Sequence, residues 1–548
     1  MEYGSIIILL VVLILVVLLK FRPRTQMIVA EQISTPRTPV YMFVCPEREI
    51  AQIAPTVERL RIQVSDGNVK VVRRSDISQI SVRSNYKGNW SINGGTIEQH
   101  NDPTSLWRSE SGQYKLQSWT GASKEEVPSY KVSVNGDKVT LDGKEIRVIF
   151  EDDTLEIAVP DSFRGDIEID SSDGGKIDLS GWKNGGVELS SSSGSLSVED
   201  LGEINSLTVT LTGDAAVAFG EIECNGNVSV ETEEGDFASS DIRASGSLSI
   251  TTTRGNISLE TVKAGGNITI TSEDGNVTTG DVTSVEGEVL VTTTGYGDVE
   301  LGDLTASVAR FNLESTDQSS ALKGNAFKVG RLEVESATPG DVEIDSIDGR
   351  HCQFAFQSNA TLNIDTVEVD SFQFSTPSYG DLNIGTLTAH ESCEIDLEDE
   401  NNCNVTIETL KSGATKIHSN GEGDLDIDNI GGGSFSVELL GDGGLDFDDV
   451  DLIGDFTCVQ EDDGDATIGN LKAHTVLCES TANGDMTISN LEATTATMHS
   501  SGDRCIQVED GTCDVLTLKA ENDGDVTVSG EFAKLVTEKS GNGTISIN

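Results

Sequence analysis

Residues 423–427 read Gly-Asp-Leu-Asp-Ile, and the opening returns as Gly-Asp-Ala-Thr-Ile at 464–468, Gly-Asp-Met-Thr-Ile at 484–488 and Gly-Asp-Val-Thr-Val at 524–528. These openings lie 41, 20 and 40 residues apart, which corresponds to a period of about 20. The alternation of apolar and polar residues is typical of strands with one buried face. Self-similarity at a fixed period of this length indicates a solenoid.

The repeat continues with few breaks from 165 to 548 and predicts an all-β fold, a single-stranded parallel β-helix (β-solenoid) with coils of about 20 residues. About nineteen coils fit into this range. The Gly that opens each unit, as in Gly423 and Gly464, is expected to supply a positive φ at a corner. A local aromatic stack is expected in the core, formed by Phe354, Phe356, Phe372 and Phe374.

The segments before the array differ from it in composition. Residues 3–19 are apolar and long enough for one N-terminal transmembrane helix, which predicts a single-pass membrane anchor. Residues 20–56 hold five of the ten prolines and are expected to form a stalk or linker. Residues 57–164 contain first strands and, at 85–129, an aromatic-rich insertion that predicts a cap on the open end of the solenoid. A ligand face is the alternative for these aromatic residues.

The flanks of the anchor indicate its orientation. Lys20, Arg22 and Arg24 follow the span and no basic residue precedes it, so the positive-inside rule predicts a cytosolic solenoid. Eight Asn-x-Ser/Thr sequons leave an extracellular solenoid as the alternative, although most of them follow from the repeat consensus. They lie at Asn89, Asn227, Asn256, Asn267, Asn276, Asn359, Asn404 and Asn542.

The formal net charge of −55 is unevenly distributed. Residues 1–150 hold 19 Lys and Arg and 15 Asp and Glu, whereas residues 151–548 hold 18 and 77. The array is therefore a polyanion, which argues against nucleic acid as a partner.

An Asp follows the opening Gly in many units. Turn capping, in which each carboxylate accepts hydrogen bonds from neighbouring backbone N–H groups, is the favoured interpretation of this column. Ca²⁺ binding is the alternative, because stacked carboxylates repel unless they are bridged, and Asp424, Asp465, Asp485 and Asp525 are its candidate ligands. The other members of the column are Asp166, Asp298, Asp341 and Asp381.

Nine cysteines and six histidines show no motif of a disulfide framework, a metal site or a nucleophile. Cys458 and Cys478 are one period apart, so both are expected on one inward column with Met498, as buried thiols in a reducing compartment. A stapled extracellular framework is the alternative. No histidine has Ser, Asp or metal-ligand spacing, which predicts solvated or packed side chains.

The Asp-Gly-Asn-Val opening at 66–69, the Val-Pro at 159–160 and the serial Ser-x-x-Gly turns resemble the adhesin-type β-helix family of bacteria, a domain family of unknown function. The resemblance covers about residues 57–548. It implies the fold and carries no catalytic signature, because fold alone does not establish function.

The sequence favours a non-enzymatic membrane-anchored adhesion or scaffold module that acts through an extended acidic surface toward an unidentified protein or glycan partner. No catalytic residue and no cofactor is predicted, apart from the Ca²⁺ alternative. A polysaccharide-active β-helix enzyme, a lyase or glycoside hydrolase, is a second hypothesis, but it needs a carboxylate set in a cleft and aromatic sugar platforms. A cation-dependent surface-binding protein is the third. Ice binding is suggested by Thr runs at 251–253 and 292–294 and by Thr269 and Thr271, and it is disfavoured by a mixed outward column at the third position after the Gly.

Overall fold

The structure, a computed structural model, describes residues 40–44, 47–65, 68–85, 89–100, 115–120, 123–127, 132–135, 138–150, 154–172, 174–179, 182–314, 320–377, 379–398, 402–461, 463–481, 483–503 and 505–548. The predicted transmembrane helix at 3–19 lies outside these residues. The described ranges contain no helix that is long and apolar enough to cross a bilayer.

The described residues divide into two compact units, of which the first comprises those that fall within 40–55, 68–70 and 74–161. Its strands pair mainly antiparallel, as Ile80–Ser84 does with Arg48–Ile53 and with Thr154–Pro160. Two strands, Val40–Val44 and Arg48–Ile53, fall in the segment that the sequence predicts to be a stalk. The other strands of this unit are Asn89–Asn93, Thr96–His100, Lys115–Thr120, Ser123–Val127, Val132–Asn135, Lys138–Leu141, Lys144–Ile146 and Val148–Phe150. Asn68–Arg74 contributes residues to both units.

The second unit, residues 56–66, 71–73 and 162–548, is an all-β parallel solenoid of about 18 turns. Short strands form each early turn. They are Arg59–Val64, Asp166–Ser171, Gly175–Asp178, Gly186–Ser191, Ser195–Val198, Leu201–Ile204, Ser206–Leu211, Ala216–Phe219, Ile222–Cys224, Val228–Thr232, Phe237–Ala244, Leu248–Thr252, Ile257–Ala264, Ile268–Ser272, Val277–Ser284, Glu288–Thr293, Val299–Leu301 and Leu304–Leu313.

In the later turns these short strands join into long, bent ones. They are Leu322–Ser336, Val342–Phe356, Leu362–Thr376, Leu382–Leu397, Val405–Ser419, Leu425–Leu439, Leu445–Leu452, Asp455–Gln460, Ala466–Ser480, Met486–Ser500, Cys505–Asn522, Asp525–Gly541 and Ile545–Ile547. The pairing is parallel and one turn apart, so that Ala466, for example, lies beside Met486. The predicted solenoid and its period are confirmed.

Alternate side chains point into the solenoid and form aliphatic columns, of which Ile169, Leu189 and Val209 are successive members and are almost fully buried. Burial of such side chains contributes about 1.5–3 kcal/mol each, which makes these columns the main source of stability.

The four predicted core phenylalanines are buried and in contact. The register sets Phe354 beside Phe374, yet the ring contacts are diagonal, between Phe354 and Phe372 at 6.0 Å and between Phe356 and Phe374 at 5.5 Å. The rings meet at 46° and 77° rather than face to face, as the ring quadrupole favours. The aromatic cluster is therefore confirmed, but as an offset arrangement.

The opening glycines serve a different purpose from the predicted one. Gly423, Gly464, Gly484 and Gly524 do not have a positive φ. A Cβ on Gly464 would overlap the carbonyl oxygen of Gly443, and a Cβ on Gly484 would overlap that of Gly464. Successive corners thus approach so closely that only glycine fits, and the prediction of a positive φ was wrong at these positions.

The last turn changes the chemistry of the inward columns. Leu518 and Ala520 are completely buried, whereas the residues beside them one turn later are Thr537 and Lys539, which are exposed. An inward-pointing charge on an edge strand opposes pairing with another strand.

Candidate functional site

The Asp column predicted from the sequence lies at a corner of the solenoid, and its carboxylates bind the next turn. The Oδ1 atom of Asp424 accepts a hydrogen bond from the backbone N–H of Gly444 at 2.8 Å. Asp465 accepts one from Asp485 at 3.0 Å, Asp485 from Cys505 at 3.1 Å, and Asp525 from Thr544 at 2.6 Å. The predicted turn capping is confirmed, but the amide belongs to the equivalent position one turn later.

Asparagine side chains take the same role in this column, which the sequence analysis did not recognise. We call the whole set the Asp/Asn ladder. Its other members place Oδ1 on the next turn's N–H in the pairs Asp236–Asn256 (2.8 Å), Asn256–Asn276 (3.1 Å), Asn276–Asp298 (2.9 Å), Asp298–Ala321 (3.0 Å), Asp341–Thr361 (3.2 Å), Asp381–Asn404 (3.3 Å) and Asn404–Asp424 (3.0 Å).

Asp166 belongs to a second corner. It is the first residue of the strand Asp166–Ser171, and its Oδ1 accepts a hydrogen bond from the backbone N–H of Gly186 at 2.8 Å. Asn227 and Asn267 do the same toward Ser247 and Glu288 in this second column. The prediction that Asp166 shares a column with Asp424 was wrong, because more than one corner of each turn opens with similar residues.

The ladder satisfies backbone donors that the sheet leaves unpaired where the chain changes direction. A hydrogen bond of this kind contributes about 0.5–1.5 kcal/mol. Asp and Asn serve equally as acceptors, so the column tolerates both, and the charge itself is not needed for the bond.

No group of three or more His, Cys, Asp or Glu side chains in the described ranges is arranged to hold a metal ion. Each candidate Ca²⁺ ligand, Asp424, Asp465, Asp485 or Asp525, already binds a backbone amide through one oxygen. Ca²⁺ binding stays a prediction.

A cluster of exposed carboxylates lies on two consecutive turns beside the ladder. It consists of Asp426, Asp428, Asp446, Asp448, Asp449 and Asp451, and we call it the acidic patch. Asp426 and Asp446 are neighbours in successive turns. Partial burial, followed by the charges of Asp428, Asp446, Asp448 and Asp424, raises the pKa of Asp426. The carboxylates around Asp426 therefore repel each other in the folded protein.

The structure gives several histidines partners that lie about one turn away in sequence. Nδ1 of His351 is 2.8 Å from Oγ of Ser371, and Nδ1 of His418 is 3.3 Å from Oε2 of Glu438. The prediction that no histidine has Ser spacing was wrong, because a separation of 20 residues brings side chains together here. The neighbour of His351 in the preceding turn is Arg331, which cannot accept the hydrogen bond that orients a catalytic imidazole.

Cys458 and Cys478 lie side by side on the inward column with Met498, as predicted, and all three are completely buried. Both cysteines are free thiols. Burial raises the pKa of Cys458 to about 12 and that of Cys478 well above its usual value. A thiol that stays protonated at neutral pH is a poor nucleophile, so these residues act as small apolar core groups.

Residues 95–282 match the family model described as Toastrack DUF4097. This is a domain of unknown function with a β-solenoid structure, and the match does not carry the adhesin name. Its range takes in part of the first unit and the early turns of the solenoid. The comparisons with curated proteins and with solved structures found no match.

Proposed function

We propose that the protein is a non-enzymatic scaffold or adhesion module, whose solenoid offers an extended acidic surface to partners and is tethered to a membrane through residues 3–19. The observation that carries this proposal is the Asp/Asn ladder. The most regularly repeated polar side chains are used to hold successive turns together, which is a structural role rather than a chemical one.

The columns of outward side chains support the same proposal. Consecutive turns keep one register, so a partner meets the same faces repeated along the solenoid. Repeat proteins use such surfaces for extended binding. The acidic patch favours a partner with a basic surface, and the contact should weaken as salt rises.

A proximity-labelling experiment on the full chain in its own cells tests the partner. The variant converts Asp446, Asp448, Asp449 and Asp451 of the patch to Asn. Basic partners are expected with the wild type and lost with the variant, and 0.5 M salt should release them from a purified complex. A partner set that changes with neither the variant nor salt would contradict the proposal.

Two further experiments test the membrane attachment and the side of the membrane on which the solenoid lies. Carbonate-washed membranes should retain the full chain and release a variant without residues 3–19. Protease added to intact cells should spare the solenoid if it faces the cytosol, as Lys20, Arg22 and Arg24 predict. Cleavage of the solenoid together with N-glycosylation of the sequons would instead indicate an extracellular solenoid.

Catalysis is the competing function. Purified full chain is incubated with a panel of neutral and acidic polysaccharides, and new reducing ends and unsaturated products are measured. The proposal expects none above the level of a heat-unfolded control. Turnover would replace the scaffold role with the enzyme hypothesis.

A further inference from the structure

One face of the early solenoid is almost without charge. It is formed by the outward residues of five consecutive strands, Ser206–Leu211, Val228–Thr232, Leu248–Thr252, Ile268–Ser272 and Glu288–Thr293. The two columns that run through all five strands hold ten outward positions, of which eight carry hydroxyl groups and two are Glu231 and Leu290. Ser206 and Glu288 are further outward residues, at the beginning of the first and the last strand. We call this surface the hydroxyl face, and its hydroxyl residues are Thr208, Thr210, Ser229, Ser249, Thr251, Thr269, Thr271 and Thr292.

The hydroxyl groups form a two-column lattice. One column runs through Ser229, Ser249 and Thr269, and the other through Thr251, Thr271 and Thr292. Neighbours are about 4.8 Å apart between turns and about 6.7 Å apart along a strand. Within the described chain these eight hydroxyl groups make no hydrogen bond, so their donors and acceptors face outward.

Charge returns on both sides of the face. The same columns hold Glu168 and Glu188 in the preceding turns, where Arg59 pairs with both. In the following turn Arg310 occupies the column and pairs with Glu288 and Glu333. In a chain with a net charge of −55, two adjoining columns that carry Glu231 as their one charge over five turns are a local departure.

Exposed apolar side chains flank the last strand of the face. Val285 precedes the strand Glu288–Thr293 and is 58% exposed, and Tyr296 follows it and is 56% exposed. The chain holds a turn around Tyr296 in place, because its N–H donates to Oδ1 of Asp274 at 3.2 Å. An amphipathic ring at the rim of a polar face can contact the apolar side of a sugar ring.

We propose that the hydroxyl face binds a neutral polysaccharide chain. The net charge repels anionic glycans, and a basic protein would be drawn to the acidic faces instead. A partner for a regular, uncharged lattice of donors and acceptors is itself neutral, polar and repetitive. Many weak hydrogen bonds then act together along one polymer. This inference deepens the proposed adhesion role by naming a partner class, and it rests on that role.

Co-sedimentation of the full chain with insoluble neutral polymers, cellulose and chitin, tests the proposal, with an anionic polygalacturonate gel beside them. Wild-type protein is expected to pellet with at least one neutral polymer and not with the gel. The bound fraction should stay constant between 0.1 and 0.5 M NaCl, because screening does not weaken uncharged contacts.

A pair of double variants locates the site. Thr251→Lys with Thr271→Lys places two cations on the hydroxyl face, whereas Thr467→Lys with Thr487→Lys adds the same charge on another face, also in adjacent turns. The first pair should reduce binding at least fivefold, and the second should leave it unchanged. Thr251→Val with Thr271→Val, which keeps the side-chain shape, should also weaken binding.

Several outcomes would overturn the inference. They are the absence of binding to both neutral polymers, preference for the anionic gel, loss of binding at 0.5 M NaCl, or equal effects of the two lysine pairs. Thermal hysteresis activity that disappears with Thr251→Lys and Thr271→Lys would assign the face to ice instead. If glycan binding fails while the acidic patch still selects basic partners, only this inference falls and the scaffold role stands.

Discussion

Substitution of Asp465 separates the two roles open to the Asp column, bonding to the next turn and attracting cations. Its Oδ1 accepts the N–H of Asp485 at 3.0 Å. Asp465→Ala removes the acceptor, whereas Asp465→Asn keeps an oxygen there and removes only the charge. The chain itself uses Asn256, Asn276 and Asn404 in the same column.

The expected magnitude follows from one lost hydrogen bond. In Asp465→Ala, the free energy needed to open this corner should fall by about 1 kcal/mol. The backbone amide of Asp485, which loses its acceptor, should then exchange about fivefold faster. Asp465→Asn should stay within about 0.5 kcal/mol of the wild type. The effect is local, because each turn of a solenoid contacts mainly its neighbours.

Hydrogen exchange measured by mass spectrometry on peptides that contain residues 483–490 reports on this corner. Asp341→Ala is the matched control and should speed exchange at Thr361, whose N–H it binds, and not at Asp485. Equal exchange in the Ala and Asn variants would refute the ladder. Slower exchange of the wild type in millimolar Ca²⁺, lost in Asp465→Asn, would instead support cation binding.

Further substitutions test other parts of the structure. Phe372→Ala should lower the free energy of unfolding in guanidinium by about 3–5 kcal/mol, whereas its exposed neighbour Gln373→Ala should change it by less than about 0.5 kcal/mol. Because the raised pKa of Asp426 favours its protonated form in the fold, the associated stability is present at low pH and lost as pH rises through that pKa. Asp426→Asn should therefore raise the thermal midpoint at pH 7, by a difference that shrinks toward pH 3, and an equal gain at both pH values would contradict this. Cys458 should resist a thiol reagent at pH 8 until denaturant is added, as peptide mass spectrometry would detect; labelling in the folded state would show that its burial is not maintained. Lys539→Leu removes a charge from an inward column at the edge of the last turn and should promote self-association in sedimentation velocity; an unchanged sedimentation coefficient would contradict this role of Lys539.

The period of 20 residues was enough to predict the solenoid, its inward columns and the capping role of Asp424 and Asp465. These features depend on alternation along a strand, which local sequence records directly. The corner to which a given residue belongs was harder to predict, because several corners of a turn carry Asp or Asn residues, and Asp166 was therefore placed in the wrong column.

The contacts between turns were the least accessible from sequence. A turn holds 19 to 23 residues, as the ladder pairs Asp525–Thr544 and Asp381–Asn404 show, so small insertions and deletions shift which side chains meet. The His351–Ser371 pair spans one regular period of 20 residues and was missed because the spacing of catalytic motifs along the chain does not include that separation. The glycine prediction failed for another reason, since the approach of two backbones is a property of stacking rather than of local conformation.

Because the ladder repeats once per turn, the length of the solenoid can change in steps of one turn. Because Asp465 and Asp485 present the same acceptor to the next turn, a deletion of residues 465–484 would bring Asp485 onto the position that Asp465 leaves and keep every flanking column aligned. Such a deletion should shorten the solenoid by about 4.8 Å and leave a folded chain. A deletion of ten residues would place a corner beside a non-equivalent corner of the next turn, and the inward columns would no longer align. Length can therefore change in whole turns, which lets duplication or loss of a turn adjust the distance between two bound partners.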